Sequence, residues 1–157
     1  MKKQNILFIG IDSFRGDKCF GKNKSSKTPN IDKLIKNGVY FEQAISVSDG
    51  SYTCMGAVFT SLYPFQSGIT TVSAYSKSTK IFEKFRDAGY KLYGTAPCTP
   101  FFINLLESFD EKENFSKPGY LYPVSGNSKD SRTGEYILDR LDRIRDGKID
   151  EPWFYFI

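Results

Sequence analysis

The segment Asn5 to Ile11 (NILFIGI) is an unbroken apolar run that stops at Asp12. A run of strand length with no polar alternation reads as a strand buried on both faces, which is the condition of a parallel sheet. That reading constrains the rest of the chain, because parallel neighbours need crossovers of about a dozen residues or more, usually helical. Helix signatures should therefore separate any later strands, and they do. Thr28-Pro29 offers an N-cap and a proline at the first helical position; Ile31, Leu34 and Ile35 follow at helical spacing, and Asn37-Gly38 provides the stop. Val39 to Ala44 reads as a strand, a polar stretch Ser46 to Ser51 follows, and a helix is expected from Ser51 to Ser61. Ser78 to Ala88 repeats the helical signature with Ile81, Phe82, Phe85 and Ala88 on one face and Gly89 as terminator, before a strand at Tyr90 to Ala96. Pro97 to Gly126 has no clear period and reads as loop with one short helix. Arg132 to Asp146 carries Ile137, Leu138, Leu141 and Ile144 on one stripe, and Trp153 to Ile157 is a last buried strand. The fold class expected is α/β, a mostly parallel sheet with helices on both faces.

Composition narrows the function. The net charge of +4 comes from lysines scattered through loops and arginines alternating with acids on the late helix, a solvated surface rather than a nucleic-acid footprint. No apolar run approaches the roughly 20 residues of a membrane span. Met1-Lys2-Lys3 leads into too short an apolar stretch for a secretory signal, so a cytoplasmic address is expected. Cys19, Cys54 and Cys98 form no CxxC pair and read as reduced thiols. The chain has no histidine, so imidazole chemistry would have to come from outside these residues.

Two residues stand where chemistry would be expected. Asp12 directly follows the first strand, and ligands of open parallel sheets gather at the carboxyl ends of strands; it either approaches a cation or caps the next turn or pairs with Arg15. Ser51 follows Asp49-Gly50 at an expected helix start, where free amides and the helix dipole favour anions; it is either a nucleophile or an N-cap.

Several stretches, taken in order, resemble the sulfatase/alkaline phosphatase superfamily over nearly the whole chain. NILFIGIDSFRGD is similar to that family's first strand with its metal-binding Asp. Thr28-Pro29-Asn30-Ile31-Asp32-Lys33-Leu34 with Gly38-Val39-Tyr40-Phe41 and Ala44 resembles its TPNLDxL…GxxFxxA segment, and Thr60-Ser61-Leu62-Tyr63-Pro64 its TGLYP turn. Ala88-Gly89-Tyr90 and Phe109-Asp110 resemble its later AGY and GFD landmarks. The resemblance implies an alkaline phosphatase-like sheet of which residues 1–157 form the amino-terminal part, incomplete at its C-terminal end. It also implies Asp12 and Ser51 as metal ligands and Ser51, nine residues before Thr60, as the nucleophile.

Departures from the pattern refine the expectation. Sulfatases carry C/S-x-P-S-R at the nucleophile, whose first residue is oxidised to formylglycine, whereas this chain reads Ser51-Tyr52-Thr53-Cys54-Met55. The family's second Asp is replaced by Ser13. Both changes resemble branches that use an unmodified Ser or Thr for phosphoryl transfer. The expected function is therefore a metal-dependent hydrolase or transferase acting on phosphate esters as part of a longer enzyme. Sulfate ester hydrolysis is the second reading, and a flavodoxin-like binding module or a non-catalytic relative are the others. The substrate would be a small-molecule, glycan-linked or lipid-linked phosphate or sulfate ester, and the cofactor a divalent ion (Mn, Zn, Ca or Mg) whose remaining ligands lie outside this chain. The fragment alone is expected to be inactive.

Overall fold

The computed structural model describes residues 2–70, 80–115 and 132–157. These fall into two compact units, Met1–Gly10 with Val47–Ile157 and Ile11–Ser46. The strands are β1 (Ile6–Phe8), β2 (Lys91–Pro97), β3 (Glu111–Phe115) and β4 (Trp153–Phe156). The helices are α1 (Gly16–Cys19), α2 (Pro29–Asn37), α3 (Ser51–Thr60), α4 (Pro64–Ser67), α5 (Lys80–Asp87), α6 (Pro100–Leu106) and α7 (Arg132–Arg145).

All four strands belong to the larger unit and pair in parallel, in the spatial order β1-β4-β2-β3. The sheet has helices on both faces, as expected. Phe154 and Phe156 of β4 join Leu92 and Ala96 of β2 on one face, covered by Phe59 of α3, Phe82 of α5, and Phe101, Leu105 and Leu106 of α6. Trp153 and Tyr155 join Tyr93 on the other face, covered by Ile149 and by Ile144 of α7. The first core is largely phenylalanine, with Phe82 and Phe109 at 4.7 Å and Phe85 and Phe154 at 4.9 Å between ring centroids. Each such ring, fully buried, is worth roughly 1.5–3 kcal/mol.

The turn from α6 into β3 is pinned by the Phe109-Asp110 landmark. Phe109 is buried, while the Asp110 carboxylate accepts the Leu92 amide at 2.7 Å and pairs with Arg86 at 3.4 Å. Gly94 makes the close approach of this turn possible. A Cβ there would stand 2.3 Å from Leu106 Cδ2 and 2.8 Å from Phe109 Cδ1.

Several expectations change. The first strand is shorter than Asn5 to Ile11 and is not buried on both faces: Leu7 is 40% and Ile9 55% exposed. β1 is an edge strand, and the second face of the sheet is covered over β2 and β4 by α7 and Ile149. Pro97 to Gly126 is not simply loop with a helix, because β3 pairs with β2 from Tyr93↔Glu111 to Pro97↔Phe115. Its sequence, EKENF, hides the strand because an edge position tolerates charge; residues 116–126 lie outside the described residues. The late helix does not follow its apolar stripe throughout. Leu138 is exposed, while Arg140 meets Glu113 at 2.5 Å, Arg143 meets Glu111 at 3.5 Å, and the Tyr136 hydroxyl donates to Glu113. Polar residues expected in solvent thus face β3, and burial together with the Glu113 carboxylate pushes the Tyr136 phenol up to about 12. Ser78 and Thr79, the expected start of α5, lie outside the described residues.

In the smaller unit, α2 forms where its proline and glycine signals place it, although the Thr28 hydroxyl donates to the Asp32 carboxylate at 3.0 Å instead of capping the helix. Val39 to Ala44 is not a strand, and Val39 and Phe41 stand 82% and 75% exposed. Strand propensity is realised only where a pleated partner is available, and among the described residues none pairs here. Lys24 closes onto Asp32 at 2.5 Å, and Phe20 packs on Tyr40 with centroids 4.3 Å apart.

Gly94→Ala is expected to destabilise the chain by about 1–3 kcal/mol, the usual cost of overpacking a filled core. A urea midpoint unchanged from the parent would show that the turn at Leu106 to Phe109 can retreat without loss.

Candidate active site

Ser51 opens α3, and the backbone before it explains its position. Gly50, with extended φ −98° and ψ 137°, is the N-cap. Its carbonyl accepts the Cys54 amide at 2.9 Å. Glycine has no side chain with which to cap, so the stabilisation comes from the third helical residue. The buried Thr53 hydroxyl donates to the Gly50 carbonyl at 2.8 Å and lies 2.7 Å from the Ser48 hydroxyl. The Cys54 thiol donates to the Ser48 carbonyl at 2.9 Å. Cys54 is half-buried rather than fully buried, and it serves as a tether between the loop and the helix.

The N-cap alternative for Ser51 therefore does not hold: it is the first helical residue, with an exposed side chain. A helix leaves its first amides without intrahelical acceptors and carries partial positive charge there. Tyr52 stacks on Phe101 with centroids 5.3 Å apart and rings 12° from parallel, and meets Phe102 edge-on. Because α6 follows the carboxyl end of β2, these contacts hold the start of α3 at the carboxyl edge of the sheet. Met55 reinforces this, lying against the position of Gly10, whose amide donates to Ile157 just past β4.

The turn after α3 fixes its other end. Ser61 adopts φ 58° and ψ 25° while its amide donates to Ala57 at 2.8 Å. That left-handed region favours glycine, which is what the TGLYP pattern carries at this position. Tyr63 then starts α4 with its amide donating to Gln66 Oε1 at 3.0 Å, and its ring stacks on Phe65 at 5.6 Å.

Asp12 belongs to the smaller unit. It is exposed and accepts the Ser13 hydroxyl at 3.4 Å. Arg15 does not turn to it but grips Asp17 through two hydrogen bonds of 2.8 Å, which hold the Asp17 carboxyl below its ordinary range. Lys18 stands 3.8 Å from the same carboxylate, partly exposed. Among the described residues no group of three or more His, Cys, Asp or Glu side chains could hold a metal ion. Sequence reasoning placed Ser51 at the start of this helix and missed the Ser48–Thr53 brace, whose signal was a hydroxyl at the third helical position where proline was the expected comparison.

The family model for sulfatases matches residues 4–157. The chain belongs to the sulfatase family. Among curated relatives, the uncharacterized sulfatase YidJ of Escherichia coli (strain K12) is 28% identical over 138 residues, covering 72% of this chain and 28% of the relative. Human arylsulfatase H is 37% identical over 71 residues, 45% of this chain and 12% of the relative. Human steryl-sulfatase is 36% identical over 73 residues, again 45% of this chain and 12% of the relative. The chain thus spans only a minor part of the sulfatases it matches. No solved structure gives a significant match.

Two substitutions test the scaffold around Ser51. Thr53→Val keeps the shape but leaves the Gly50 carbonyl without that donor, and should cost about 1–2 kcal/mol in a urea titration. Ser61→Gly should gain about 0.5–1 kcal/mol by relieving the left-handed backbone; a loss on that change would mean the Ser61 side chain outweighs its strain.

Proposed function

We propose that this chain is the nucleophile-bearing, amino-terminal part of a longer sulfatase-family hydrolase or transferase, and that Ser51 attacks a phosphate ester as an ordinary, unmodified serine. The observation that carries the reading is the set of bonds at the start of α3. Positions that hold proline and serine in the modification signature hold Thr53 and Cys54, and both are committed to bracing the helix on Ser48 and Gly50. Ser51 itself is exposed at the helix start, where developing negative charge is favoured.

In the proposed reaction the Ser51 Oγ–P bond forms as the bond from phosphorus to the leaving oxygen breaks. The serine proton passes to a general base that is not an imidazole of these residues, since the chain has no histidine. The phosphoseryl group then passes to water or to an acceptor alcohol. Asp12 and Ser51 are each candidates for contact with a divalent ion, on the strength of the family pattern that they match. On their own they do not fit such a site, because calcium takes about 6–8 oxygens and magnesium a full octahedron.

Sulfate ester hydrolysis is a second reading, favoured by the relatives named for it, arylsulfatase H and steryl-sulfatase. The ulvan-active sulfatase of Formosa agariphila, 31% identical over 91 residues, favours a glycan-linked ester among the possible substrates. A cytoplasmic location is proposed, in which the three free thiols stay reduced. Separately, no described helix is long and apolar enough to cross a membrane.

In the longer protein, Ser51→Ala is expected to reduce aryl phosphate turnover by several orders of magnitude, the usual cost of losing a covalent nucleophile. Its urea midpoint should stay within about 0.5 kcal/mol of the parent, as for an exposed site. Intact-protein mass spectrometry separates the two readings. A two-dalton loss at Ser51 would indicate formylglycine and sulfate chemistry, and full activity of Ser51→Ala would sink both.

A further inference from the structure

On its α7 side the sheet carries two buried hydroxyls that cannot fully satisfy each other. Thr95 of β2 and Tyr155 of β4 are 1% and 4% exposed, and their oxygens lie 3.2 Å apart, with either able to donate. Each hydroxyl has one hydrogen to give. Their shared bond uses one, whichever residue supplies it, so the other hydrogen has no acceptor among the described residues. Burial raises the Tyr155 phenol above its ordinary range, against the pull of Arg140 and Arg143, so it remains a donor at neutral pH. Buried donors of this kind are normally answered by water or by a ligand.

Both residues line a cavity of about 370 Å³ between α7 and the sheet, with Tyr93 beside them and Glu111, Glu113 and Arg143 around it. That volume falls within the range of small-molecule sites. The cavity lies on the sheet face opposite α3, so it owes nothing to the chemistry proposed for Ser51. Its charges are already matched: Glu113 holds Arg140 at 2.5 Å, and Glu111 is shared by Arg143 at 3.5 Å and Lys91 at 3.6 Å. A charged ligand would have to break one of these pairs or leave its own charge uncompensated, whereas a neutral one can use the donors and acceptors as they stand. We propose that this cavity binds a small uncharged molecule rich in hydroxyl groups, of polyol or monosaccharide size. One of its oxygens accepts the spare hydrogen of the Thr95–Tyr155 pair, and a second accepts from Arg143. Its own hydroxyls donate to Glu111 and Glu113, whose carboxylates keep acceptor capacity beyond their ion pairs. Tyr93, stacked on Tyr155 with centroids 5.7 Å apart, gives the site an aromatic side, as such pockets commonly have.

Nuclear magnetic resonance on the isotope-labelled 157-residue chain tests the proposal, with glycerol, myo-inositol and glucose as uncharged probes and acetate and methylammonium as charged ones. At least one uncharged probe is expected to shift the Thr95, Glu113 and Tyr155 amides saturably and to bind more tightly than either charged probe. Thr95→Val combined with Tyr155→Phe removes both hydroxyls and leaves no lone donor, so the urea midpoint should not fall. Affinity for the same probe should drop by about two- to tenfold, as for the loss of one hydrogen bond. Arg143→Gln, whose side chain is one-third exposed at the rim, leaves the core untouched and should weaken binding by a similar factor; it decides the matter if the double variant does not fold. No saturable shift with any uncharged probe, tighter binding of acetate or methylammonium, or undiminished affinity in either folded variant would overturn the proposal.

Discussion

The larger unit depends on the double burial of β4. Trp153 to Phe156 is apolar at every position and buried at every position, and burial on both sides is possible only if a strand lies on each flank and a layer of helices or loops on each face. β1 and β2 provide the flanks. The phenylalanine core under α3, α5 and α6 provides one layer, and α7 with Ile149 the other. The candidate nucleophile inherits its place from this arrangement. α3 packs through Phe59 against Phe8 and Phe156, and Gly56 admits Ile69 so closely that a Cβ would lie 2.5 Å from its Cδ1. With the helix seated by these contacts, Ser51 emerges at the carboxyl edge.

How much of this the sequence disclosed depends on where the physical signal was local. α2 was legible because Pro29 and Gly38 mark its ends, and α7 because Ile137, Leu141 and Ile144 recur at helical spacing. β4 was legible because it is apolar throughout, and β2 because a helix terminator at Gly89 precedes its largely apolar run. β3 was not, since EKENF owes its conformation to the neighbouring β2 and to the carboxylates it offers Arg140 and Arg143. Val39 to Ala44 erred in the opposite direction: it has strand-forming residues but no partner strand among those described. The short β1 shows the same limit, because an apolar run cannot reveal whether both of its faces will be covered.

At the candidate site, Ser51 was singled out by its spacing from the Thr60 turn rather than by any property of a serine. The structure gives the cap of α3 to Gly50 and makes Ser51 the first helical residue. The brace from Thr53 and Cys54 to Ser48 was not legible, because hydroxyl and thiol contacts across a loop leave no periodic trace. Phe109-Asp110 was legible as a landmark but not as a mechanism; its work is to fasten the turn to Leu92 and Arg86. Asp12 remains a residue placed by the strand before it and by its resemblance to the family pattern.

The pairing of Ile6 with Phe154 joins nearly opposite ends of these residues, and this has a consequence for synthesis. A ribosome adds about 5–20 residues per second, so β1 must wait on the order of 10 s before its partner exists. During that interval β2 and β3, which are close in sequence, can pair through α6, but the slot between β1 and β2 stays empty. The earliest-made strand is thus among the last to be locked in place. Its apolar residues must spend the interval either shielded by a chaperone or exposed to other nascent chains.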